Sequence, residues 1–177
     1  MENRGGYPQN LTANGEEVVL TRAESVFLDT ALDVVSGDPL SLVTESDLLL
    51  ARENAGLSAP RARFCVEYLR YKGDLVALSE ATEFSPSNVT QYLTSPTVFR
   101  ILEEASRRHP DILSPIPTKE ELAVVWSVVS RSDTMPLSYQ KEARQEIAKL
   151  MGYYTTPSSG NVNVGVQVVL QGDLASD

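Results

Sequence analysis

One alternating segment, Asn161-Val162-Asn163-Val164-Gly165-Val166-Gln167-Val168, constrains what this chain can fold into more than any other. Polar and apolar residues exchange at every step, so Val162, Val164, Val166 and Val168 share one face of an extended strand that runs on into Val169-Leu170. No other segment carries a convincing strand pattern. A lone strand leaves backbone donors and acceptors unmet on both edges, and the nearest remedy is the same strand from other copies. A two-fold dimer would still leave outer edges open. Cyclic symmetry instead gives a parallel barrel without edges, which closes well at roughly eight strands. The expectation is a homo-oligomeric ring of roughly eight to ten copies, with about nine favoured. The competing reading is an unordered tail or a strand that docks on another protein, because Pro157-Ser158-Ser159-Gly160 reads as a flexible linker.

The rest of the chain reads as helices between clear start and stop signals. Residues 1–15, rich in Asn and Gly, are expected to form a mobile arm. Thr21-x-x-Glu24 opens a helix to about Val35, and Thr44-x-x-Asp47 opens a short one that stops near Gly56. Pro60 begins a third, with Phe64, Cys65, Tyr68, Leu69 and Tyr71 along its apolar side and Gly73 as its break. A short helix from Asp74 to about Thr82 follows, then one from Ser85-Pro86 to Leu93, then one from Ser95-Pro96 to Arg108-His109. Three prolines between Pro110 and Pro117 predict a stiff linker. Beyond it, Thr118-x-x-Glu121 opens a helix bearing Leu122, Val125, Trp126 and Val129. Another runs from Ser138 to about Met151, with Ala143, Ile147, Leu150 and Met151 inward.

The predicted fold class is therefore mainly α in five parts. These are an arm at 1–15, a helical DNA-binding domain with an acidic extension at 16–109 and a linker at 110–117. An antiparallel helix pair for oligomerisation at 118–154 and a strand and tail at 155–177 complete it. Leu122, Trp126, Ile147 and Leu150, with the four alternating valines, are the candidate oligomerisation residues.

Leu75 to Leu93 has the layout of a helix-turn-helix, whose inner faces Leu78, Phe84, Val89 and Tyr92 would bury. Ser87, Asn88 and Gln91 would then point outward from the second helix. Asn and Gln can read adenine edges bidentately, and Ser can hold a phosphate. Glu83 stands in the turn where glycine is common, and a plain three-helix core is the competing reading.

Charge has to be reconciled with that assignment, since the net charge is −9 and repels a polyanion. Residues 1–56 hold 3 basic and 10 acidic side chains, residues 57–108 hold 7 and 6, and residues 109–177 hold 5 and 8. Only the middle third escapes a negative balance, and it permits phosphate contact without strongly attracting it.

Catalytic readings find little support. His109 is the only histidine, and it stands at a helix end where capping is its expected role. Cys65 is the only cysteine and lies on an apolar stripe, which excludes a disulfide or zinc cluster within one copy. No glycine-rich loop follows a strand, and the carboxylates have no metal-gathering spacing. The expectation is a protein that is not an enzyme, with no metal and no cofactor. With no apolar run of 18 residues and no signal-like start, it is also expected to avoid membranes and stay in the cytoplasm.

The run Ser58-Ala59-Pro60-Arg61-Ala62-Arg63-Phe64-x-x-Glu67-Tyr68-Leu69 resembles the opening helix of the small terminase subunits of tailed bacteriophages. Leu75-Val76-Ala77-Leu78-Ser79 is similar to that family's Ala-rich second helix, and Tyr92-Leu93-Thr94-Ser95-Pro96-Thr97-Val98 to its next junction. Glu120-Glu121-Leu122 to Trp126, and Lys141-Glu142-Ala143 to Leu150-Met151-Gly152-Tyr153, resemble its later helix pair. The resemblance spans residues 57–154 and leaves the acidic 1–56 uncovered. It departs at Glu80-Ala81-Thr82-Glu83-Phe84, where the family usually carries Arg-Ala-Gly-Tyr.

The resemblance implies a subunit without chemistry of its own in the host cytoplasm. It would recognise the packaging site on double-stranded viral DNA and recruit the large terminase subunit, an ATPase and nuclease. A ring multiplies weak contacts on one duplex, which suits a nearly neutral DNA-binding region. Arg61, Arg63, Lys72 and Arg100 are the phosphate candidates, each weighed against a solvated helix face, with Ser87, Asn88 and Gln91 as base or groove contacts. The rival readings are a dimeric helix-turn-helix transcriptional regulator and a structural adaptor that never touches DNA.

Overall fold

The computed structural model describes residues 19–38 and 41–152. The expected arm at 1–15, the linker at 157–160 and the strand bearing Val162, Val164, Val166 and Val168 lie outside the described residues. The protein is mainly helical. Among the described residues the elements are α1 (Arg22–Ser36), α2 (Glu45–Asn54), α3 (Ala59–Arg70), α4 (Leu75–Ala81), α5 (Pro86–Leu93), α6 (Pro96–Arg108), α7 (Lys119–Val129) and α8 (Leu137–Leu150).

Local signals explain the starts. Thr21 with Glu24, Thr44 with Asp47, and Thr118 with Glu121 each form a reciprocal capping box, so both exposed backbone donors at those termini are met. Asp74 accepts from the amides of Val76 and Ala77 to start α4, and Ser85 accepts from Asn88 to start α5. Ser58 and Ser95 precede proline-opened helices without a side-chain cap.

α1 packs on α2, α3 and α6, while α5 packs on α3, α6 and α8. α4 lies between α3 and α7, and α7 pairs with α8. Phe27 and Leu28 of α1, Phe64 and Tyr68 of α3, Leu93 of α5, Leu102 of α6 and Trp126 of α7 belong to one continuous buried cluster.

That continuity revises two expectations. The segment 110–117 is not a free linker. Leu113 is buried, the Ser114 amide donates to the Lys72 carbonyl at 3.1 Å, and the Tyr68 hydroxyl donates to the Ser114 carbonyl at 3.5 Å. Nor is the helix pair α7–α8 a separate unit for joining copies. Leu122, Trp126 and Leu150 are buried inside their own protomer, and Ile147 packs half-buried against the same core. The pair's apolar face finds α4 and α5 of its own chain, so those four side chains are consumed before another copy arrives. Met151, expected inward, follows the last helical turn and is exposed.

Candidate nucleic-acid interface

Three aromatic side chains set the angle between α4, the turn and α5. Phe84 in the turn meets Phe64 of α3 edge-on at 5.6 Å and Tyr92 of α5 edge-on at 5.9 Å, and Phe64 and Tyr92 lie 5.4 Å apart. Edge-to-face packing favours that triangle beyond its buried area. The turn closes on itself as well, with the Thr82 hydroxyl donating to the Leu78 carbonyl at 2.6 Å and accepting from the Phe84 amide at 3.2 Å.

Val89 and Leu93 point α5 into the core, and Thr90 is buried against α7. Asn88 and Gln91, three residues apart, are exposed as expected and form the open stripe of this helix. Ser87 differs, being half-buried towards α8, with its amide donating to a Glu142 carboxylate oxygen at 3.4 Å.

The cations divide into two groups. Arg61 is partly exposed and Lys72 exposed, and neither side chain forms an ion pair among the described residues. Lys72 sits in the left-handed region at φ 55°, beside Gly73 at φ 80°, and its carbonyl is held by Ser114. Arg63 is exposed over the Phe84 ring, 5.6 Å from its centre, and pairs with Glu83 at 3.5 Å. Arg100 turns towards α1, where it meets the buried Glu24 carboxylate at 2.5 Å.

Sequence reasoning missed the acids around the start of α5. Glu142 reaches the Ser87 amide from α8, and Glu83 flanks the turn. Burial first, then the Glu142 and Glu83 carboxylates, push the Tyr139 hydroxyl above its ordinary value. Glu142 stands 55 residues from Ser87, so no local pattern could have joined them.

Among the described residues no three His, Cys, Asp or Glu side chains converge on a metal-sized site, and no helix is long and apolar enough to cross a membrane. Cys65 is fully buried and its thiol is pushed up to about 12, so it is neutral near pH 7. No protein-family model, curated protein or solved structure matches the chain.

Proposed function

We propose that this chain is a non-enzymatic DNA-recognition subunit that acts as a homo-oligomeric ring, in the manner of the small terminase subunits its sequence resembles. In that role it marks double-stranded viral DNA for packaging and recruits a large ATPase–nuclease subunit. One observation carries the reading. α4, its four-residue turn and α5 have helix-turn-helix form, and α5 leaves Asn88 and Gln91 open while its other sides are locked into the core. Asn88 and Gln91 carry the base contact, and Arg61, Lys72 and Arg63 carry phosphate contacts around it.

The affinity of one copy is low, because Glu83 and Glu142 stand beside the same helix start. The ring supplies the rest by presenting many copies to one duplex. The valine strand and a parallel barrel between copies belong to this proposal too.

Anisotropy of a fluorescent duplex, titrated with the full chain at several salt concentrations, tests the reading. Binding should weaken steeply with salt, and Asn88→Ala with Gln91→Ala should remove about 1–3 kcal/mol of sequence discrimination per lost base contact. A dimer by light scattering that still discriminates sequences would make it a transcriptional regulator. An assembly indifferent to DNA at every salt concentration would make it an adaptor.

A further inference from the structure

α1, α2 and α3 enclose an open cleft of about 380 Å³. Leu48, Leu49 and Val66 line its apolar wall, and Arg52, Arg63 and Arg70 stand around it. Glu45 is the one acid in the lining. Leu49 remains 52% exposed, which leaves its apolar surface uncovered. The Arg52 Nε is buried without a hydrogen-bond acceptor, although its Nη2 meets Glu53 at 3.2 Å. An apolar slot ringed by arginines fits one helix chemistry, an apolar stripe with carboxylates beside it.

α7 carries such a stripe on its outward side. Val124 and Val128 are 65% and 51% exposed, and four residues apart they stand one above the other. Glu120 precedes Val124 by one helical turn and is exposed, with no ion pair among the described residues. Glu121 lies beside it, with one carboxylate oxygen accepting from the Thr118 amide at 2.8 Å.

We propose that the α7 stripe Glu120–Val124–Val128 of one copy docks in the α1–α2–α3 cleft of the next. The valines cover Leu48, Leu49 and Val66, and the Glu120 carboxylate meets the cleft's arginines. Stripe and cleft are different surfaces of one chain, so the contact is head to tail, the kind that generates a ring when its rotation closes. The inference rests on the ring reading for the existence of an assembly, and assigns where its copies touch. It does not require the valine strand.

The test is cross-linking of the full chain through Leu49→Cys and Val124→Cys, both at exposed sites. A short bismaleimide joins two thiols by adding one S–H across each maleimide double bond, so no oxidant is needed. The native Cys65 is buried and stays out of the reaction. Co-expressed L49C and V124C chains should give a cross-linked pair, while either alone should give none. The double variant L49C/V124C should give a ladder. Arg70→Glu in the L49C chain should cut the yield several-fold, and Glu120→Arg in the V124C chain should restore it. An oligomer by light scattering in which L49C and V124C fail to cross-link overturns the interface and leaves the ring standing, with the cleft open or filled by another segment or protein. A full chain that is monomeric overturns both.

Discussion

The indole nitrogen of Trp126 donates to the Thr90 hydroxyl at 3.1 Å inside the core, joining α7 to α5. The same hydroxyl donates to the Pro86 carbonyl at 2.9 Å, so one oxygen serves both partners. Thr90→Val keeps the shape and removes the oxygen, leaving a buried indole N–H unmet. The expected cost is about 1–3 kcal/mol, read from urea unfolding. Trp126→Phe in the T90V background should cost less than Trp126→Phe in the parent, because the bond is already gone. Equal costs in the two backgrounds would mean that the bond contributes nothing.

Acid should loosen the contact between α1 and α6. Burial pushes the Glu24 carboxyl up, but the Arg100 hydrogen bond and charge and the Thr21 bonds together outweigh it, and the group titrates below its ordinary 4.5. An acid held low in the fold adds stability that is complete above its unfolded value and lost as pH falls through the folded one. Glu24→Gln should therefore be less stable than the parent at pH 7, and the gap should shrink as pH drops below 4.5. Thermal unfolding at several pH values reads this. A gap that stays constant would show that the charge on Glu24 is irrelevant.

Glu142 should act with opposite signs on stability and on DNA binding. Its carboxylate reaches the Ser87 amide near the positive end of α5, a placement that stabilises a helix by about 0.3–1 kcal/mol. It also puts a negative charge where the duplex is proposed to approach. Glu142→Gln should lower the unfolding midpoint slightly and tighten duplex binding in the same preparation. Weaker binding would mean that this end of α5 faces away from the duplex.

Gly73→Ala should free the 110–117 segment. At φ 80° an alanine costs about 1–2 kcal/mol through its backbone alone. Its Cβ would also lie 3.1 Å from both the Ser114 Cβ and the Tyr68 hydroxyl. Gly56→Ala is the control, since at φ 66° its Cβ meets nothing within 4 Å. The first variant should lose more stability than the second, and hydrogen exchange at the Ser114 amide should accelerate only there.

Capping was legible in the sequence because its partners lie three residues apart. Thr21, Thr44 and Thr118 all bind the acids that the pattern assigned to them. The open stripe of α5 was legible too, since Val89 and Leu93 dictate which side is buried and leave Asn88 and Gln91 out. Amphipathic patterning could say that Leu122 and Trp126 must be covered, but not by what. A second copy and the chain's own α4 and α5 satisfy the same apolar face, and only tertiary packing decides. The direction of Arg100 was invisible for a related reason, because its acid lies 76 residues away.

Arg100 and Arg108 carry a wider consequence. Glu24 neutralises the first, and Asp29, at 2.7 Å, shares the second with Glu104. The acid-rich opening third therefore blankets the cations of α6 instead of hanging loose as a repellent fringe. Electrically, the molecule has a back and a front. The α1–α6 side is quiet, and the unpaired cations Arg61 and Lys72 lie at the two ends of α3, giving a nucleic acid one direction from which to arrive.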